Sequence, residues 1–169
     1  MSTQVSSGSA TRTTSDTAVP FRLEVIVIPV TDVDRARDFY VNLGWRMDGE
    51  IGRDDGYRLV QLTPPGSGCS IIFGNGVTAA KPGSFDGLLL VVDDIDAARS
   101  DLSSRGVEVS EVYHEAGGGL VGGFHIGDEL RESGRDPEGR SYGSYASFND
   151  PDGNRFVLQE ITERLPGRV

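Results

Sequence analysis

The residues best suited to chemistry gather in one stretch of the chain. His114 and His125 are its two histidines, and imidazole changes charge near neutral pH, so either could act as a general base or a metal ligand. Tyr113, Glu115, Asp128, Glu129, Tyr142 and Tyr145 lie close by in sequence. His114, His125 and Tyr145 form the candidate catalytic set. The spacing of the two histidines matches no H-E-x-x-H or related metal motif, and a solvated loop histidine is the plainer reading of each. Cys69 stands alone, which excludes an intrachain disulfide and a thiolate zinc site and suits a reducing, cytoplasmic compartment. The Asp-x-Asp pairs at 32/34 and 94/96 could be metal carboxylates, but helix N-capping explains them better.

Those residues need a scaffold, and the composition bounds it. A chain of 169 residues suits one domain with its own core. The net charge of -10 argues against nucleic acid, whose phosphates require a clustered basic surface. No apolar run approaches the roughly 18 residues of a membrane span. Met1 to Val19 is rich in Ser and Thr and lacks an apolar segment, so residues 1–20 read as a disordered tail rather than a signal peptide. Residues 163–169 read as a C-terminal tail.

The chain repeats itself. Asp32-Val33-Asp34-Arg35-Ala36-Arg37 returns as Asp94-Ile95-Asp96-Ala97-Ala98-Arg99 at an offset of 62, and Gly44 falls on Gly106 at the same offset. An apolar run precedes each copy, Val25–Val30 and Leu88–Val92, too short for a helix and rich in β-formers. Helical periodicity follows, with Asp32 and Asp94 as N-caps and Gly44 and Gly106 as stops. Three further strands are expected in each half: Trp45–Ile51, Tyr57–Thr63 and Cys69–Phe73, then Val107–His114, Tyr142–Asn149 and Arg155–Ile161. Pro64-Pro65-Gly66 and Asp150-Pro151-Asp152-Gly153 punctuate the last two strands of each half. The second half carries about 24 extra residues, assigned to Glu115–Ser141, which holds eight glycines in 27 residues. A segment of that length is a candidate lid, with Gly117–Gly119 and Gly122-Gly123 as hinges and Arg131 to Arg140 as an exposed turn region. The fold class is therefore α+β, two βαβββ modules at about 21–76 and 85–162 in a single domain of 21–162.

Paired modules of this kind, carrying Ile28-Pro29-Val30-Thr31-Asp32-Val33-Asp34-Arg35-Ala36, Phe39-Tyr40-x-x-Leu43-Gly44-Trp45 and Asp150-Pro151-Asp152-Gly153-Asn154, resemble the vicinal-oxygen-chelate (VOC) superfamily, which includes glyoxalases, bleomycin resistance proteins and dioxygenases. The resemblance implies a glyoxalase-like curved-sheet cavity. In metal-dependent members, strand residues facing that cavity supply His, Glu or Gln ligands. Transferred by the turn motifs, those positions fall on Val25, Ile71, Gly87 and Val157, which offer a divalent cation no lone pair. The expectation is no metal and no cofactor.

Strand alternation then draws the cavity wall. With Val25 inward, Leu23, Val27, Cys69, Ile71, Phe73, Phe85, Gly87, Leu89, Arg155, Val157 and Gln159 are expected to line it, with Arg155 and Gln159 as the polar pair. Such a wall suits a flat, aromatic or hydrophobic organic ligand, although some of these residues could simply close a packed core. Three functions stay open. One is a metal-free binding protein that sequesters an antibiotic or holds a metabolite. Another is a metal-independent lyase or isomerase using a histidine with Tyr or Glu, and the third is an enzyme with relocated metal ligands. The expected partner is a small molecule, and the chain a monomer or homodimer.

Overall fold

The structure, a computed structural model, describes residues 19–120 and 127–166; most of the expected N-terminal tail lies outside the described residues. In the first module β1 (Val25–Val27) leads into α1 (Val33–Asn42), then β2 (Arg46–Gly52), β3 (Arg58–Thr63) and β4 (Ser70–Asn75). The second has β5 (Asp86–Val92), α2 (Ile95–Ser104), β6 (Tyr113–Glu115), β7 (Arg131–Ser133), β8 (Ser144–Asn149) and β9 (Arg155–Glu160). Among the described residues the strands make two sheets, ordered β1-β4-β3-β2 and β5-β9-β8-β6-β7. The pairs β1–β4 and β5–β9 are parallel, so each helix is the crossover that a parallel pair requires. This is the expected α+β arrangement of two βαβββ modules.

Both helices begin as the sequence dictates. The Asp32 side chain accepts from the Arg35 backbone N–H at 3.0 Å, and Asp94 accepts from Asp96 and Ala97. Two Asp-x-Asp carboxylates are thus spent on capping. Glu160, only 3 % exposed, adds a second acceptor at the start of α2 through Ile95.

Three local expectations differ. The strand expected at Val107–His114 survives only as Tyr113–Glu115, with Val109 making one isolated bridge to Phe148. The Ser110 hydroxyl occupies the Ser147 N–H instead, and the Ser110 N–H reaches the Ser147 carbonyl outside a regular ladder. Arg131 to Arg140 is not simply an exposed turn: Arg131–Ser133 pairs antiparallel with β6 and Asp136 is buried. The first strand ends at Val27, just before Pro29.

One side of each sheet is covered by its helix, and the two covered sides meet. Tyr40 from α1 is fully buried, with its ring 5.6 Å from Phe73 of β4, 5.0 Å from Trp45 and 6.0 Å from Phe156 of β9. Such ring pairs contribute about 0.5–1.5 kcal/mol each beyond their buried area. The Asp150–Asn154 turn clamps the same junction. Its Asp150 carboxylate accepts from the Tyr40 hydroxyl at 2.8 Å, Asp152 accepts from Thr31 and Arg35, and Asn154 donates to the Pro29 carbonyl while accepting from Phe85. Gly83, at φ +74°, lies so close to the Asp152 carbonyl that a Cβ would sit 2.2 Å from it; only glycine fits the linker there.

Burial, then the charge of Asp150, pushes the Tyr40 phenol well above its ordinary value of 10.0, so it stays a donor. Tyr40→Phe leaves the packing intact and removes the bond. We expect a loss of about 1.5–3 kcal/mol, the range for a hydrogen bond to a charged group, measured by urea denaturation with an unchanged m-value.

Candidate functional site

The opposite side of the first sheet is open, whereas that of the second is closed over Tyr113, Tyr145, Val157 and Gln159, each at most 4 % exposed. In the first module Val25 and Val27 are 38 % and 36 % exposed and Ile51 58 %. In the second, Leu89 lies across from Val157, Val91 from Gln159, and Tyr145 from both Gln159 and Tyr113. Paired residues share a face, so these six residues lie together. The Tyr113 and Tyr145 rings stack at 5.7 Å and 21° and pack with Val157 and Leu89 as a small apolar cluster separate from the main core.

This face has its own polar order. Gln159 donates to the Tyr142 carbonyl at 2.9 Å and to the Tyr145 hydroxyl at 3.2 Å, and that hydroxyl in turn donates to the Leu120 carbonyl. Arg131 sits over the Tyr113 ring, 4.4 Å from its centroid, and is paired with Asp128. Arg155 is paired with Asp86 at 2.9 Å. The expected polar pair therefore has internal partners: Arg155 an exposed carboxylate, Gln159 a carbonyl and a phenol.

Several expected wall residues face the other way. Val25 pairs with Ser70, Ile26 with Ile71 and Val27 with Ile72, so Ser70 and Ile72 share the open face. Ile71 and Phe73 are buried in the helix-side core, and Cys69 alternates with them. The alignment of turns fails by one residue, because the turn around Pro64–Cys69 differs in length from its counterpart in the second module. Phe85 also packs against the main core. A bulge between Asp86 and Leu88 places Gly87, at φ +84°, as the extra residue that reverses the alternation.

The catalytic set is not assembled as a unit. Tyr145 lies on the side of the second sheet away from its helix, whereas His114, next to Tyr113 in a strand, points to the opposite side. Its Nδ1 lies 2.9 Å from the Gly134 carbonyl and its Nε2 3.3 Å from Glu132. His125 lies outside the described residues. A cavity of about 680 Å³ includes Leu89 and Val91 in its lining. It runs along the β5 edge between α2 and the Pro64–Gly68 turn.

Comparison with known proteins agrees with this architecture. Residues 22–158 match the Glyoxalase/Bleomycin resistance protein/Dioxygenase superfamily. The chain belongs to that superfamily. No curated protein sequence matches it significantly. Among solved structures, it is 28 % identical to TnmS3, described as an antibiotic binding protein from Streptomyces sp. CB03234, over 85 % of this chain and 98 % of that one, with a TM-score of 0.61. It is 29 % identical to a glyoxalase/bleomycin resistance protein from the same organism, over 82 % and 100 % of the two chains, with a TM-score of 0.58. A superfamily member from Sphaerobacter thermophilus is likewise 29 % identical, over 83 % and 98 %, with a TM-score of 0.60.

Within the superfamily frame, strand pairing moves one of the transferred ligand positions. Val27 faces Ile72 as its repeat mate Leu89 faces Val157, so Ile72 replaces Ile71 in the set. Val25, Ile72, Gly87 and Val157 carry no donor atom, and the residues present do not fit the superfamily's metal. Among the described residues no three His, Cys, Asp or Glu side chains converge as a metal site.

Tyr113 and Arg131 on the second sheet, and Ile72 on the first, lie on the sides away from the helices without having been expected there. Alternation from Tyr145 across β6 could have found Tyr113; nothing local signals β7. The insertion is also more tightly held than its glycines suggest. Arg140 donates to the Gly118 carbonyl at 2.8 Å and to the buried Asp136 carboxylate at 3.1 Å, and Arg135 reaches Glu160 at 2.6 Å. Of the expected lid, residues 121–126 lie outside the described residues.

Hydrogen bonding from Arg140 outweighs burial and holds the Asp136 carboxyl at about 2, below its ordinary 3.8. A carboxyl depressed in the folded state stabilises fully above its unfolded value, and that stability is lost as pH falls through the folded one. Asp136→Asn should therefore lower stability at neutral pH and flatten its decline between about pH 4 and pH 2, as read from urea melts across that range.

Proposed function

We propose that this protein binds a small planar organic ligand on its open apolar face without a metal ion, as a sequestering or metabolite-binding member of the superfamily. The observation that carries this is the apolar open face of the first sheet, where Val25, Val27 and Ile51 are 38 %, 36 % and 58 % exposed and Val27 pairs with Ile72. An apolar face with few polar groups binds by burial and is oriented by those few. The 28 % identity to a protein described as antibiotic binding supports the same reading. The apolar residues at the transferred ligand positions argue for metal independence. His114, turned from Tyr145 and engaged by Gly134 and Glu132, favours binding over catalysis.

The test is a fluorescence titration with anthracene-2-sulfonate, a planar aromatic probe. Saturable binding that survives EDTA is expected, with substoichiometric metal by elemental analysis. Ile72→Glu should weaken it at least about tenfold, because a carboxylate would have to be buried beneath the ring. Absence of binding, or binding lost with EDTA and restored by a divalent cation, removes this reading.

The oligomer we propose is a homodimer. Along the edge strand every second residue is apolar and open: Phe21 at 94 % and Leu23 at 79 % exposed continue the stripe of Val25 and Val27. Both β1 and β5 are sheet edges, and an apolar edge left bare invites pairing. Because the modules repeat, β1 of each copy can meet β5 of the other in two equal contacts around a two-fold axis, a closed arrangement. Sedimentation velocity should show a dimer, and Leu23→Glu a folded monomer. A monomeric wild-type protein at micromolar concentration overturns this.

A further inference from the structure

Five consecutive residues of one strand and its end, Leu89 to Asp93, line the cavity of about 680 Å³ beside α2. Successive side chains of a strand point to opposite faces, so a strand lines a cavity with every residue only by its edge. What the cavity meets there is backbone. Val92 spends its carbonyl on Ile161, just past β9, and backbone groups alternate in direction along a strand. The N–H and C=O groups of Leu89 and Val91 therefore turn away from β9, toward the cavity. Beside that edge the lining is apolar, with Trp45, Leu102 and Leu158. A bare strand edge next to an apolar cleft is the surface to which an extended chain adds as a further strand.

The chain itself carries a segment that matches. The Glu24 carbonyl accepts from the Ser70 N–H, and the Ile28 N–H donates to the Ile72 carbonyl. Even residues of β1 thus bond β4, and the odd ones turn their backbone groups outward, as Leu89 and Val91 do in β5. Pairing odd with odd also sets Leu23, Val25 and Val27 on one face with Leu89 and Val91, so the apolar stripe continues from one copy to the other. Arg22 and Glu24 then point to the other face, on the cavity side. Both are exposed, as are Asp93 and Arg164 on the cavity wall, and none of the four is ion-paired with another described residue. Asp93 and Arg164 lie past the ends of β5 and β9, which run parallel, while Arg22 and Glu24 precede β1. Only an antiparallel approach brings the two sets together.

We infer that the occupant of this cavity is residues 22–27 of a second copy, added antiparallel to β5 as a further strand, with Arg22 meeting Asp93 and Glu24 meeting Arg164. This rests on the homodimer proposed above and gives its contact a direction and a pair of charges. A two-fold axis repeats the contact, so both copies are anchored by the same two ion pairs. Complementary charge fixes which strand the edge accepts and which way it runs.

Sedimentation velocity over a concentration series, on the full chain, tests this with wild type, Arg22→Glu, Asp93→Arg, their double variant and Val91→Pro. Each reversal should raise the dimer dissociation constant about tenfold, because an exposed ion pair of modest strength is lost twice per dimer. The double variant restores opposite charges and should return close to the wild-type value. Val91→Pro removes an outward N–H that its own sheet does not use, which an edge strand tolerates, and should give a folded monomer. Reversals that leave the dimer unchanged, a double variant no tighter than the singles, or a dimeric Val91→Pro each overturn the inference while leaving a dimer in place. A wild-type monomer removes the dimer reading and this inference with it. Slow amide exchange at Leu89 and Val91 in such a monomer would give the cavity to the chain's own N-terminal segment instead.

Discussion

The Asp150 carboxylate accepts four hydrogen bonds, from the Tyr40 hydroxyl, the Asn154 amide and the backbone N–H groups of Asp152 and Asn154. A carboxylate can leave water only when its lone pairs are filled, so this turn has one conformation. That conformation places Asp152 against Thr31 and Arg35 and Asn154 against Pro29 and Phe85. The first module is thereby fixed on the second. The aromatic cluster of Tyr40, Trp45, Phe73 and Phe156 fills the space beneath it, adding apolar burial to a contact whose direction the hydrogen bonds have set.

Joining the modules by their helix-covered sides has a consequence for function. Each sheet spends its helix side on the common core, so the other side, with Val25, Val27 and Ile51 in one module and Leu89 and Val91 in the other, is left to whatever the protein binds. A monomeric protein gains nothing by exposing a stripe such as Phe21, Leu23, Val25 and Val27. The stripe includes Val25 and Val27 of the proposed binding face, so ligand binding and self-association are expected to be linked.

The insertion combines two regimes. Its second half is anchored by charge: Arg140 to Asp136 and Gly118, Arg135 to Glu160, and β7 laid against β6. Among the described residues of its first half, Leu120 accepts from the Tyr145 hydroxyl. The anchored half holds the β6–β7 hairpin, and with it Tyr113 and Arg131, in place.

The sequence by itself determined the modules, their helices and the residue types of the site. The repeat of Asp-x-Asp with its caps, the glycine stops and the apolar runs are local signals, and local hydrogen bonding and periodicity are what a sequence expresses. It also determined that Val25, Gly87 and Val157 cannot bind a metal, since that follows from side-chain chemistry. Only the tertiary structure decided which residues share a face. A one-residue difference in a turn put Ser70 and Ile72 where Ile71 was expected, and a bulge at Gly87 turned Phe85 into the core. Likewise β7 exists because β6 offers it an edge, and His114 is parted from Tyr145 because neighbouring strand residues point to opposite sides. Side-chain direction in a strand has a period of two, so a register error too small to disturb any sequence motif moves a whole set of side chains from one face to the other.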